Sequence, residues 1–132
     1  MGAWSHEPFG NDVANDWADG LEEVNDFSHI EDAFDRVLTA EDYLDADEAQ
    51  EAIAAAETLA KMLGKGTQTD AYTETVNDWA AAHPLKPTPA LLSKARNSLA
   101  RILADDSELR DLWSESDSFE PWKSVLLTLH KS

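Results

Sequence analysis

The chain contains no cysteine. That excludes disulfides, thiol nucleophiles and cysteine-ligated metals. Glycine is scarce, with five in 132 residues, and no Gly-rich turn follows a strand to cradle a phosphate. No apolar run approaches the roughly 20 residues that span a bilayer. The opening, Met1-Gly2-Ala3-Trp4-Ser5-His6-Glu7, has neither the basic nor the apolar segment of a signal peptide. His6 stands where a myristoylated N-terminus wants Ser or Thr. The expected location is the cytoplasm. No useful stretch alternates with period two, so no sheet is expected.

Basic residues are rare in the first half. Residues 1–60 hold 17 Asp and Glu against one basic residue, Arg36, whereas residues 61–132 hold 10 acidic and 9 basic residues. Nearly all of the net charge of −17 therefore lies in the first half. Such a field repels nucleic acid, anionic membranes and phosphorylated substrates, and attracts a basic partner. Solubility or adaptation to salt is the plainer explanation.

What is present is enough for a core: 42% apolar residues and five Trp. Residues 1–132 read as one domain. The organising stretch is Asp45 to Gly64. It is rich in alanine, the strongest helix former. Asp45 and Glu48 suit a capping box, and Gly64 suits a left-handed stop. Ala49, Ala52, Ile53, Ala56, Leu59, Ala60 and Leu63 share one stripe, and Ala54, Ala55 and Met62 widen it. A helix apolar over most of its girth is buried on several sides. Residues 46–63 are thus expected at the centre of an all-α bundle of six or seven helices.

The other helices follow from caps and spacing. Asn11 or Asp12 caps a first helix with Val13, Trp17, Leu21 and Val24 inward. Ser28 and Glu31 open a second, carrying Ile30, Ala33, Phe34, Val37 and Leu38. Residues 65–69 read as the most mobile loop. Thr69 or Asp70 starts a helix with Tyr72, Val76, Trp79 and Ala80 that Pro84 stops. Thr88 with Pro89 starts another, Ser107 caps a short one, and Pro121 begins the last. Asn15-Asp16-Trp17-Ala18 recurs as Asn77-Asp78-Trp79-Ala80, and Arg36-Val37-Leu38 as Arg101-Ile102-Leu103. Two copies of one helical unit would produce this echo; so would coincidence among acidic amphipathic helices.

Chemistry is hard to place. His6, His29, His83 and His130 stand in no catalytic signature, and His83 suits a helix C-terminus. Asp45-Ala46-Asp47-Glu48 begins like a calcium loop but runs into alanines. No Glu-x-x-His pair exists for a di-iron bundle; Asp26-x-x-His29 is the nearest. No cofactor, metal or catalytic residue is expected. Asp12, Asp16, Asp19, Glu22, Glu23, Asp26, Glu31, Asp32 and Asp35 form the candidate surface for a basic protein, with Trp4 as an aromatic contact. Acidic helical immunity proteins cover basic active sites by such complementarity. Two other readings are a carboxylate- or metal-dependent enzyme and a self-associating domain with Trp4 and Phe9 open at an interface.

Several motifs in order also resemble a known family. Met1-Gly2-Ala3-Trp4, Phe9-Gly10-Asn11-Asp12 and Trp17 are similar to the opening of the bacterial domain of unknown function 4259. Tyr43-Leu44 with Leu63-Gly64 resembles its middle. Asp106-Ser107-Glu108-Leu109, Leu112-Trp113 and Trp122 resemble its end. The resemblance implies one bacterial cytoplasmic domain and no particular activity.

Overall fold

A computed structural model describes residues 5–131; Trp4 lies outside them. Seven α-helices are present among these residues: α1 (Asp12–Leu21), α2 (Ser28–Leu38), α3 (Ala46–Met62), α4 (Glu74–Ala82), α5 (Pro89–Leu103), α6 (Glu108–Ser114) and α7 (Phe119–Lys131). A 3-10 turn, Ala71–Thr73, leads into α4.

The alanine-rich segment is the hub. Twelve of the 17 residues of α3 are buried, and α3 packs against all six other helices. Methyl side chains let six neighbours approach one axis, which larger residues would hold apart. Phe34, Leu21, Ile30, Leu99, Ile102 and Leu126, all fully buried, fill the surrounding layer. The helix ends in a Schellman motif: Lys65 N–H donates to the Ala60 carbonyl at 2.7 Å and Gly64 N–H to that of Lys61 at 3.0 Å. Gly64 takes φ +76°, which its missing Cβ permits.

Several helix starts match their expected caps. Asn11, rather than Asp12, caps α1 by accepting from Ala14 N–H at 2.8 Å. Thr88 caps α5 with Pro89 behind it, and Ser107 caps α6. Others depart from expectation. Ser28 is the first residue of α2, and its N–H is satisfied by Asp26. Asp45 accepts from Asp47 N–H, but Glu48 does not complete a box. Instead Glu108, 62 residues away, takes Ala46 N–H at 2.9 Å. The last helix begins two residues before Pro121.

The connector before α3 is tied to the α5–α6 turn. Leu44 N–H donates to the Asp106 carbonyl at 2.8 Å and Glu108 N–H to that of Leu44 at 3.0 Å. Arg101 donates to the carbonyls of both Asp42 and Asp106. Asp42 holds φ +57°, a left-handed conformation Asp tolerates better than most residues. Leu44 and Ser107 form an isolated parallel bridge, and no strand occurs among the described residues.

The echoed motifs occupy comparable places. α1 packs against α4, α2 against α5, and all four against α3. Trp17 stacks on His29 and Trp79 on His83, each at 4.8 Å. Each histidine ring also bonds the carbonyl of its own tryptophan. The histidines come from unrelated positions, one on α2 and one ending α4.

Phe9 is fully buried, so it does not supply the open aromatic contact that would have signalled self-association. The loop at 65–69 is also fastened by side chains, contrary to its expected mobility.

Candidate functional site

The acidic surface begins on α1. Asp12, Asp16 and Asp19 recur every three or four residues on its outer side, opposite buried Ala14, Trp17, Ala18 and Leu21, and Glu23 continues the spacing in the turn past its C-cap. Glu22, at the C-cap of α1, is exposed with them, as are Asp26, Glu31 and Asp32 further along. Asp12, Asp16, Asp19, Glu22, Glu23 and Asp32 have no ion-pair partner among the described residues.

Three of the nine candidates are otherwise engaged. Glu31 and half-buried Asp35 share Lys94 of α5, at 3.1 and 2.8 Å. The hydrogen bonds that Lys94 donates to Asp35 and then to Glu31 hold its ammonium above its ordinary pKa. These two carboxylates therefore pin α2 to α5 and offer a partner less charge. Asp26 turns the chain into α2, and the Ser28 hydroxyl and then its N–H hold its carboxyl below the usual range. Arg36, the single cation of the first 60 residues, pairs with Glu51 at 3.2 Å.

A second group was not legible beforehand. Glu57 lies on α3 at 0% exposure. Loop residues wrap its carboxylate: Thr67 N–H donates at 2.8 Å, Thr67 Oγ1 at 2.7 Å and Gln68 N–H at 2.9 Å. Lys61, one turn on, stands 3.7 Å away and donates to the Gln68 carbonyl. Gly66 makes the wrap possible, since a Cβ there would come within 2.6 Å of the Lys61 stem. Burial pushes the Glu57 carboxyl above its ordinary pKa, against the bonds from Thr67 and Gln68 and the charge of Lys61. The sequence signal was a single acid inside Ala54-Ala55-Ala56-Glu57-Thr58-Leu59, with Lys at i+4.

Enclosed space is small. One cavity of about 10 Å³ is lined by Asn11, Gln50, Ile53, Trp113 and Trp122 below residues 5–8. An apolar one of about 20 Å³ lies between α3, α5 and α7. Either has room for about one water molecule. A wider, open groove of about 360 Å³ runs beside Lys61, Asn77 and Pro84. No group of three or more His, Asp or Glu poised for a metal ion occurs among the described residues, and none of their helices is long and apolar enough to cross a membrane.

Comparison with known families adds one finding. A family model described as a domain of unknown function, DUF4259, matches residues 2–125. The chain belongs to that family. No curated protein and no solved structure gives a match. The DUF4259 match spans both the acidic surface and the Glu57 group, so each lies within the family's own domain.

Proposed function

We propose that the chain is a non-enzymatic binding protein whose acidic N-terminal half receives a basic protein partner. An immunity protein that covers the basic active site of a toxin is one concrete form. The supporting observation is the row of exposed carboxylates on α1 that has no internal counter-ions. Like charges three and four residues apart repel, and no basic residue occupies the last turn of α1 to offset its dipole. The row thus opposes the helix that carries it. A cationic partner would relieve both costs and would be steered in by the same field.

The enzyme reading would have to rest on Glu57, the one buried carboxylate among the described residues. Its oxygens are taken up by Thr67 and Gln68, which leaves it little capacity to act on a substrate.

The test is affinity capture from lysate, at low and at high salt, with the wild-type chain beside Asp16→Asn/Asp19→Asn/Glu22→Gln/Glu23→Gln. A basic protein held by the wild type, released by salt and lost by the variant supports the proposal. Equal retention by both chains refutes it.

A further inference from the structure

Residues 5–10 precede α1 and cover one end of the core. The Phe9 ring is buried in that core, and one long-range hydrogen bond joins the segment to the loop after α3. Phe9 N–H donates to Oε1 of Gln68 at 2.8 Å, and Gln68 is itself buried at 4% exposure. The Gln68 backbone N–H in turn ends on Glu57, and its Nε2 donates to Asp70 at 3.0 Å. A chain of bonds therefore joins helix α3, the loop after it, and the segment before α1, 59 residues away in sequence. Further bonds of the segment are short-range: Ser5 with Gly10, Gly10 with Glu7, Glu7 N–H with Ser5 Oγ, and Asn11 Nδ2 with the Pro8 carbonyl. They shape it and join it to the N-cap of α1, while the buried Phe9 ring seats it on the core. Asn15 adds a tie, from α1 to the Phe9 carbonyl.

Beneath the segment lies Gln50. It is 3% exposed and lines the cavity there. The cavity beside it has room for about one water molecule. Trp113 and Trp122, stacked at 6.2 Å, complete the wall.

We propose that residues 5–10 form a strap over the Gln50 cavity and that Glu57 is its latch, acting through Gln68. With Glu57 in place, Thr67 and Gln68 are held, Gln68 presents its amide oxygen to Phe9, and the strap stays down. When the latch is removed, the loop N–H groups have no acceptor and turn to water, the Phe9 bond is lost, and the cavity between Gln50 and the two indoles opens.

The test is residue-resolved hydrogen exchange on the full chain, comparing wild type with Glu57→Met and Gln68→Ala. Methionine keeps the bulk of the side chain and removes both acceptor oxygens. In Glu57→Met, exchange at Thr67, Gln68 and Phe9 should rise together by roughly tenfold or more, with Leu99 and Ile102 of α5 unchanged. In Gln68→Ala, Phe9 should accelerate while the α5 amides hold. The Gln50 side-chain amide resonance should shift in both. Unchanged Phe9 exchange in Gln68→Ala overturns the strap, and that variant decides alone if Glu57→Met fails to fold. If Thr67 and Gln68 accelerate in Glu57→Met without Phe9, Glu57 is not the latch. Phe9 rising only in step with Leu99 and Ile102 reports general unfolding and also overturns the proposal.

Discussion

Neutralising the C-terminal end of α1 should make the protein more stable. The perturbation is the same fourfold change, Asp16→Asn, Asp19→Asn, Glu22→Gln and Glu23→Gln. It removes four repulsive pairs: 12 with 16, 16 with 19, 19 with 22, and 19 with 23. Exposed like-charge pairs at this spacing cost about 0.2–0.5 kcal/mol each, so the four amount to roughly 0.8–2 kcal/mol. Asp19, Glu22 and Glu23 also sit where the helix dipole is negative, at about 0.3–1 kcal/mol apiece. Asp12 is left alone because it stands in the first turn, where a carboxylate is favourable. These contributions overlap and face solvent, so about 1–2 kcal/mol is the expected net gain. Thermal melting at low salt should then rise by about 3–8 °C. The gain should shrink near 1 M salt, where the screening length falls to about 3 Å. An unchanged or lowered melting temperature at low salt would refute the reasoning, because the row would then not be opposing its own helix. Stability and partner binding should move in opposite directions in this one variant.

Three further outcomes are expected. Tyr43 donates to Asp111 at 2.5 Å, and that bond pushes its phenol up to about 12; ultraviolet titration should find this, and Asp111→Asn should bring it back toward 10.0. The stabilisation from that phenol is complete below its unfolded value and is lost as pH rises through the folded one. Glu57, also raised, follows the same sign: its contribution is full below 4.5 and lost as pH rises through its folded value. A carboxyl-carbon titration of Glu57 should have its midpoint above 4.5, and a midpoint below it would show that the loop's hydrogen bonds outweigh burial. Ala55→Leu, at a fully buried position of α3, should lower stability by about 1–3 kcal/mol in denaturant melts through overpacking; a neutral result would mean the hub has slack.

The helices were legible because their signals are local. The alanine run, the Gly64 stop and the Thr88-Pro89 start each act within a few residues, and periodicity placed Trp17, Trp79, Trp113 and Trp122 inward without any tertiary information. Most of the misses involve residues beyond the local turn. Ser28 and Glu31 match a capping box on paper, but Asp26 takes the Ser28 N–H and Lys94 draws Glu31 away. Glu48 completes no box with Asp45, and the next N–H, that of Ala46, goes to distant Glu108. Loop 65–69 has the composition of a mobile segment, but a buried carboxylate and a lysine from the preceding helix, with Phe9, hold it. The acidic row could be read from spacing; which of its members carry internal partners could not, because Lys94 lies some 60 positions away.

The tie between residues 42–46 and 101–111 bears on how the chain is made. The first N–H of the hub helix is satisfied by Glu108, and the connector before it rests on Leu44, Asp106 and Arg101. During synthesis, residues 1–60 emerge with 17 acidic groups and one cation, well before Lys94 or Glu108 exists. That nascent half repels itself and lacks both the acceptor for the first N–H of its central helix and the clamp on its connector. Despite the internal echo, neither half is a self-sufficient unit, and the bundle closes only once the second half has left the ribosome.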